Sequence, residues 1–327
     1  MKHEKLIPIL IFTLLLTACN ASGGSFSMAT YGECFSTENA VFCVASDEIC
    51  AYDLKGEKLF SEENRVTEPV YCTSGDYAIV YGEHDLYLSD GKEIRHNIIN
   101  NKIMSTTVNA NGYTAIYTEE AGYKGSVTVF DENFTPLYKW YSASGFIIKA
   151  SLSEKNILAV QTANEKGSTV HIFELDSETE QYSVFLEKTL AIDFCWMDEM
   201  LCILSENAVY FADGEEIAET VSFDRALGKY ALGDELVLIE LLNGDGTGEL
   251  FSYGKSGREK GSAESEMLRN VSVSGGRIAV ICGSEAVLYG ADLKEITRTD
   301  AKGVRAVMLC GGKMLLVRDS EVQIISE

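Results

Sequence analysis

Hydrophobic and polar residues alternate in short runs along most of the chain, and polar turns rich in Gly, Asp, Asn and Ser separate the runs. The stretch ICAYDLKGEKLF, residues 49–60, shows the unit: an alternating strand, a tight polar turn and the start of a second strand. Near-copies follow at 86–94, 127–137, 209–217 and 287–296. Alternation with a period of two, without an amphipathic helical segment between the strands, predicts an all-β protein.

The copies recur at a regular distance. The turn that follows each outward-running strand falls at Asp53, Asp90, Asp131, Asp176, Asp213, Gly254 and Asp292. The intervals are 37, 41, 45, 37, 41 and 38 residues, and an apolar strand precedes each copy. A period of about forty residues with four short strands is typical of a β-propeller blade. A parallel β-helix is the alternative fold, but its repeats are usually shorter.

The predicted ring has eight blades of four strands, with seven as the fallback if the terminal fragments merge. The last unit, which ends in VQIIS (322–326), lacks its outermost strand. We expect the N-terminal segment SFSMATY (25–31) to supply that strand and so to close the ring. Few prolines and no low-complexity tract interrupt the chain, which indicates one propeller domain over residues 26–327.

The N-terminus, MKHEKLIPILIFTLLLTAC, predicts export. Its apolar run, 6–16, is shorter than the roughly 20 residues that span a bilayer and has the length of a signal-peptide core. The following LTAC resembles the lipobox of bacterial lipoproteins, in which the thiol of the Cys, here Cys19, receives a diacylglycerol and the chain is cut just before it. We therefore expect a signal peptide at 1–18, a lipidated flexible tether at 19–25, and a location outside the cytoplasm on the outer face of the cell membrane. An ordinary cleaved signal or a short uncleaved anchor is the alternative.

The chain is strongly acidic, with 50 acidic and 27 basic residues. Without Glu4, Lys2 and Lys5 of the predicted signal peptide, 49 acidic and 25 basic residues remain, a net charge of −24. Such a surface repels nucleic acid and anionic headgroups. We expect no nucleic-acid partner, and a monomeric disc that is held at the membrane by the lipid on Cys19.

Motifs for catalysis are missing from the sequence. His84, His96 and His171 lie in different repeats, and neither a zinc motif, a nucleophile elbow nor a phosphate loop occurs. The loop NGDGTGE (243–249) has the oxygen donors of a calcium loop but too few acidic positions, so we interpret it as a hairpin turn. We predict no catalytic residue, no metal and no cofactor, and hence no enzyme.

The cysteines that follow Cys19 recur at equivalent places. Cys34, Cys72, Cys195 and Cys310 fall near the end of the innermost strand, and Cys43, Cys202 and Cys282 fall on the next strand. Such placement predicts small packing side chains between blades. Two pairs are expected to face each other across two-residue turns, Cys43 with Cys50 and Cys195 with Cys202, and an exported protein could join them as disulfides. Free packing thiols and disulfides both stay open.

Two long stretches carry a resemblance. WYSASGFIIKASLSEKNILAVQT (140–162) and NVSVSGGRIAVICGSEAVLYGADLKEI (270–296), together with the VxVFD hairpin, are similar to an uncharacterised family of membrane-tethered propellers in Firmicutes. The resemblance implies an N-terminal membrane anchor followed by the repeats, and no assigned activity. More loosely, the layout resembles the propeller lipoprotein of the outer-membrane assembly machinery, a scaffold without catalytic residues. The WD40 version is not matched, because no Gly-His and Trp-Asp pair occurs.

These observations predict an interaction scaffold of the cell envelope whose partners are envelope or membrane proteins. Trp140 and Tyr141, at the end of one strand, are the candidate partner contacts, although they could equally cap the core between two blades. The neighbouring hairpin loops at 119–125 and 164–169 offer the most material for recognition on that rim. A propeller that binds glycans or small ligands is the alternative, followed by an enzyme with its site at the channel mouth.

Overall fold

A computed structural model of the chain describes residues 24–28, 32–266 and 268–326. Every regular element in this part of the chain is a β-strand, and the strands form eight antiparallel sheets of four strands each. The all-β prediction is therefore confirmed, and so is the count of eight blades over the fallback of seven.

Seven blades are built from four consecutive strands, which follow one another from the innermost outwards. Blade 1 contains β2 (Glu33–Ser36), β3 (Val41–Val44), β4 (Glu48–Tyr52) and β5 (Lys58–Glu63). Blade 2 contains β6 (Val70–Ser74), β7 (Tyr77–Tyr81), β8 (Asp85–Ser89) and β9 (Ile94–Ile98). Blade 3 contains β10 (Ile103–Val108), β11 (Thr114–Thr118), β12 (Gly125–Phe130) and β13 (Pro136–Ser142). Blade 4 contains β14 (Phe146–Leu152), β15 (Leu158–Asn164), β16 (Gly167–Phe173) and β17 (Tyr182–Glu187).

The second half of the ring follows the same order. Blade 5 contains β18 (Ala191–Met197), β19 (Met200–Ser205), β20 (Ala208–Asp213) and β21 (Glu216–Ser222). Blade 6 contains β22 (Leu227–Leu232), β23 (Leu236–Leu242), β24 (Gly248–Gly254) and β25 (Glu259–Ser265). Blade 7 contains β26 (Leu268–Ser274), β27 (Arg277–Cys282), β28 (Glu285–Gly290) and β29 (Glu295–Asp300). Blade 8 contains β30 (Ala306–Cys310), β31 (Lys313–Val317), β32 (Glu321–Ile325) and, outermost, β1 (Ser25–Ser27).

The hydrophobic core is divided into eight clusters, one between each pair of neighbouring blades. The second and third strands of each blade are almost fully buried, whereas the outermost strands are largely exposed. This distribution follows from radial stacking, because each sheet is covered on both sides by its neighbours and meets water at its outer edge. Burial of apolar area between blades is therefore what holds the ring together.

The N-terminal strand closes the ring. Phe26 of β1 pairs with Val322 of β32, and the amide of Ile324 donates to the carbonyl oxygen of Gly24 at 2.8 Å. Phe26 is the buried residue of β1, and its ring lies 5.9 Å from that of Tyr52 in blade 1. The prediction that the segment 25–31 supplies the missing strand is confirmed for Ser25–Ser27.

The repeated Asp of the sequence has a structural role. ICAYDLKGEKLF corresponds to β4 and β5, the outer hairpin of blade 1, and Asp53 stands at its turn. Its Oδ1 accepts hydrogen bonds from the amides of Lys55 and Glu57, both at 2.8 Å. Asp131 makes the same pair of bonds in blade 3. The Asp side chain therefore accepts hydrogen bonds from turn amides that would otherwise lack a protein acceptor, and this role explains why Asp recurs here.

The two faces of the disc differ in their connections. We call the face that carries the turns between the first and second and between the third and fourth strands the turn face. The opposite face, where each inner strand begins and where one blade passes to the next, is the crossover face. The predicted signal peptide and Cys19 lie outside the described residues. Among the described residues, none belongs to a helix long and apolar enough to cross a membrane.

Candidate functional site

The inner strands of all eight blades line a central channel. Near the turn face the channel contains a cavity of about 440 Å³. Ser and Thr side chains are common in its lining, among them Ser36, Thr73, Thr107, Ser151 and Ser272. The cavity is therefore polar, and of a size that suits a small hydrophilic molecule.

Short side chains of the inner strands join several pairs of neighbouring blades. They donate to backbone carbonyl oxygens across the gap: Ser36 to Leu309 at 2.8 Å, Thr107 to Ala150 at 3.1 Å, Cys195 to Gly233 at 3.6 Å, and Cys310 to Glu38 at 3.4 Å. The cysteines of the inner strands thus take part in the contact between blades. The prediction of packing thiols at equivalent positions is confirmed, and the predicted register, Cys43 opposite Cys50 and Cys195 opposite Cys202, is confirmed too. No disulfide joins the eight cysteines of the described chain.

Lys149 is a cationic side chain of the channel lining. Its Nζ lies 2.5 Å from Oδ1 of Asp193 in the neighbouring blade and donates to the carbonyl oxygen of Phe194 at 3.0 Å. The pair is half-buried, so the two charges neutralise each other and join blades 4 and 5. Burial also raises the pKa of the Cys72 thiol to about 12, so this lining cysteine stays protonated at neutral pH and is not an activated nucleophile.

The crossover face carries an arc of exposed apolar side chains around the channel. They stand at the beginning of the inner strands of four consecutive blades: Val70 and Tyr71, then Met104, then Phe146 and Ile148, then Leu190 and Ile192. Their exposed fractions run from 38% for Ile192 to 59% for Phe146. We call these seven residues the apolar arc. A grouped set of large apolar side chains in water is typical of a surface that another molecule covers.

A repeated β-bulge explains how the arc is exposed. The register between the first and second strands shifts at Met104, Ile148 and Ile192, and each bulged residue is exposed while the residue before it is buried. A bulge inserts one extra residue and redirects its side chain. Three consecutive blades thus turn an apolar residue out toward the crossover face.

On the other side of the same rim, blades 6, 7 and 8 each carry a basic side chain. Register shifts recur beside Lys229 in blade 6 and at Arg269 in blade 7, and Arg305 precedes the inner strand of blade 8. Arg305 binds the carbonyl oxygen of Gly32 at 3.2 Å and pairs with Asp319 at 3.4 Å. Asp319 therefore neutralises Arg305, while Lys229 and Arg269 bring basic side chains to the same side of the rim. The rim is apolar on blades 2–5, and we call the basic residues Lys229, Arg269 and Arg305 of blades 6–8 the cationic sector.

The structure separates the two residues predicted as partner contacts. Trp140 packs against the core between blades 3 and 4, with its ring 5.4 Å from that of Phe173. Tyr141 is 41% exposed, and its ring lies 4.7 Å from that of Tyr123 in the loop 119–125. Trp140 therefore packs into the core, whereas Tyr141 lies on the surface. Contact with a partner stays a prediction for Tyr141.

The loop 243–249 forms a turn whose oxygen donors are engaged. Arg225 donates to Oδ1 of Asn243 at 3.1 Å and to Oε2 of Glu249 at 3.0 Å, and Asp245 accepts from the amide of Thr247. These oxygen atoms accept hydrogen bonds from the protein itself, which agrees with the hairpin interpretation. Within the described ranges, no group of three or more His, Cys, Asp and Glu side chains is placed to hold a metal ion.

Sequence reasoning missed the apolar arc. Its residues belong to strands that read as ordinary alternating strands, and only a register shift turns them outward. A signal was present, because the apolar doublets in KIM (102–104), FII (146–148) and LAI (190–192) break the alternation at one equivalent place in consecutive repeats.

Eight four-stranded blades around a channel define an eight-bladed β-propeller. The chain belongs to a family of unknown function, DUF5711, whose model matches residues 26–326. The predicted resemblance to an uncharacterised propeller family is thereby confirmed, while the membrane tether and the bacterial group stay predictions. No curated protein matches the sequence.

Solved structures share the fold at low identity. The computationally designed protein Ika8 superposes with a TM-score of 0.68 at 12% identity, covering 92% of this chain and 99% of that one. The C-terminal WD40 domain of Sif2 gives 0.66 at 8% identity, covering 92% and 97%. BamB from Moraxella catarrhalis gives 0.59 at 10% identity, covering 92% and 98%. These similarities establish the propeller fold.

Proposed function

We propose that this protein is a membrane-anchored lipoprotein on the outer side of the cell membrane and acts as a protein-interaction scaffold of the cell envelope. The observation that carries the proposal is the apolar arc on the crossover face. The similarity to BamB, a propeller of the same architecture, supports a scaffold role by analogy of fold alone.

The position of the closing strand favours this arrangement. Gly24 comes only five residues after Cys19, a reach of at most about 18 Å, so a lipid on Cys19 would hold the edge of blade 8 close to the membrane. The chain enters β1 from the turn-face end of that blade. The apolar arc lies on the other face and is centred on the opposite side of the ring, where a partner can approach it from the aqueous side.

The partner is a protein segment with apolar side chains and at least one carboxylate. The apolar side chains would cover the arc on blades 2–5, and the carboxylate would meet the cationic sector that contains Lys229 and Arg269. Elsewhere the acidic surface repels an acidic partner, so the cationic sector sets the orientation of binding. A binding role rather than a catalytic one is consistent with the channel lining, where Lys149 is paired with Asp193 and the Cys72 thiol is protonated.

Site-specific photo-crosslinking in cells tests the contact face. A photoreactive amino acid at Ile148, 40% exposed on the arc, is compared with one at Ile296, 41% exposed on the outer strand of blade 7. We expect the Ile148 position to capture one or two envelope proteins that the Ile296 position does not capture. Met104→Asp should abolish this capture, and Lys229→Glu should weaken it at low salt.

Equal capture at both positions, or capture that survives Met104→Asp, would show that the arc is not the contact face. No capture at either position would shift the proposal to a glycan or small-ligand propeller, with the polar cavity of the channel as its site. The anchor is tested separately: Cys19→Ala should release the protein from membranes, and unchanged membrane retention with unchanged mass would refute lipidation.

A further inference from the structure

Blade 1 carries three thiols in a row across adjacent strands. Cys34 of β2 is the register partner of Cys43 of β3, and Cys43 is in turn the partner of Cys50 of β4. All three face the core between blades 8 and 1, where the ring closes. Cys43 and Cys50 are fully buried, whereas Cys34 is partly exposed.

The backbone places the first two thiols in the closer kind of strand pair. The amide of Thr37 donates to the carbonyl oxygen of Ala40 at 3.0 Å, so these two residues form a hydrogen-bonded pair at the turn. Hydrogen-bonded and non-hydrogen-bonded pairs alternate along the ladder, which makes Cys34 and Cys43 a non-hydrogen-bonded pair. Their Cα atoms are then about 4.5 Å apart with the side chains close together, inside the range that a disulfide spans.

The second pair differs in this respect. The amide of Ala45 donates to the carbonyl oxygen of Glu48 at 2.8 Å, and the same count makes Cys43 and Cys50 a hydrogen-bonded pair with Cα atoms about 5.5 Å apart. The Cys50 thiol lies 3.7 Å from both the carbonyl oxygen of Cys43 and the hydroxyl of Tyr52, and hydrogen bonding with the Cys43 thiol together with burial raises the pKa of Cys50 strongly. Cys34 and Cys43 are therefore the matched pair of the row.

The surroundings activate Cys34 and not Cys43. A hydrogen bond from the Cys43 thiol and the nearby Arg305 guanidinium lower the pKa of Cys34, against the effect of burial. The same hydrogen bond raises the pKa of Cys43 to about 12. A partly exposed thiol of lowered pKa beside a second thiol is the arrangement of a nucleophilic and a resolving cysteine.

We propose that Cys34 and Cys43 form a thiol–disulfide exchange site that takes an organic disulfide as its substrate. The Cys34 thiolate attacks one sulfur of RSSR, a mixed disulfide forms, and RS⁻ leaves and takes up a proton. The Cys43 thiol then attacks the Cys34 sulfur, loses its proton to solvent, and expels the second RS⁻, which is protonated in turn. The dithiol loses two electrons, the substrate becomes two RSH, and a disulfide joins β2 to β3.

The second step is helped by the first. Once Cys34 carries the mixed disulfide, it no longer holds a thiolate that accepts the hydrogen bond of Cys43, and the main cause that raises the pKa of Cys43 is removed. The Cys34 Sγ also lies 3.8 Å from the Met28 Sδ, just beyond the closing strand. The exchange therefore takes place beside the contact that closes the ring.

The test is equilibration of the purified full chain with glutathione and glutathione disulfide at graded ratios, followed by acid quench, alkylation and mass spectrometry. Cleavage after glutamate separates the three thiols, because Glu38 and Glu48 leave Cys34, Cys43 and Cys50 on different peptides. We expect a disulfide between peptides 34–38 and 39–48 that appears as the glutathione disulfide fraction rises. A disulfide between Cys43 and Cys50 instead, or fully alkylated Cys34 and Cys43 in excess glutathione disulfide, would overturn the proposal.

Three variants assign the roles. Cys43→Ser should trap one glutathione on Cys34, Cys34→Ser should abolish both the adduct and the disulfide, and Cys50→Ser should leave the 34–43 disulfide intact. Circular dichroism and urea unfolding verify that each variant is folded. If a variant does not fold, the time course of the wild type decides, since a transient Cys34–glutathione adduct must precede the disulfide. An adduct that appears first on Cys43 would contradict the order.

Discussion

Phe26→Ala removes the one buried side chain of the three-residue closing strand. Phe26 is 7% exposed and packs between blades 8 and 1 against Tyr52. Truncating a buried Phe to Ala costs about 3–5 kcal/mol through lost burial and the cavity left behind. The total stability of a domain is only about 5–15 kcal/mol, so the loss is a large part of it.

Urea unfolding measures this loss. With a slope of about 3 kcal/mol per M, the midpoint should fall by roughly 1 to 1.7 M. Exchange of the Ile324 amide, which donates to Gly24 across the closing strand pair, should accelerate by about two orders of magnitude or more. Ser27→Ala, an exposed change in the same strand, is the matched control and should stay within about 0.5 kcal/mol. A midpoint shift no larger than that of the control would refute the view that this strand holds the ring closed.

Three further changes test the blades. In Gly261→Ala the new Cβ would clash with a backbone carbonyl oxygen of the next blade, and the free energy of unfolding should fall by about 1–3 kcal/mol. Gly244→Ala has open space around it and should leave the same urea midpoint unchanged. Trp140→Ala should lower the free energy of unfolding by about 2–3 kcal/mol, less than for a fully buried Trp because its side chain is only partly buried. Tyr141→Ala should leave stability unchanged and weaken partner crosslinking, and the reverse result would contradict both assignments. Burial raises the pKa of Tyr81 to about 12, so the folded state favours its protonated form and stability falls as pH rises from about 10 to 12. Tyr81→Phe should remove that part of the alkaline decline, up to about 1.4 kcal/mol per pH unit, in urea unfolding at a series of pH values.

The architecture was readable from the sequence because it depends on a repeated local pattern. The Asp at the outer turn recurs in most repeats. Comparison of the repeats then gives the period of about forty residues and shows that the last unit lacks a strand. Asp53 shows why: its role requires only the four residues that follow it. The register that places Cys43 opposite Cys50 could likewise be inferred from one tight turn.

The candidate site was harder to read, because it depends on contacts between repeats and on register. Ile148 belongs to the apolar arc only because a bulge turns it outward, and an alternating pattern does not reveal a bulge of one residue. Trp140 and Tyr141 are neighbours in sequence, yet opposite sides of one strand send them to the core and to the surface. The pairing of Cys34 with Cys43 was missed as well, since it depends on the short connection through Thr37 and Ala40.

The closing strand also sets the order in which the molecule can be completed. Gly24 and Ile324 are about 300 residues apart, so their contact closes a loop that costs about 1.8 kcal/mol more in chain entropy than a contact within one forty-residue blade. Blades 1–7 need only local contacts and can form while the chain is still being made. Until blade 8 forms, they are an open stack with two uncovered apolar ends, one on blade 1 and one on blade 7. A chain that stops before blade 8 therefore leaves a product that cannot become a disc and that offers both ends to chaperones or to another open stack.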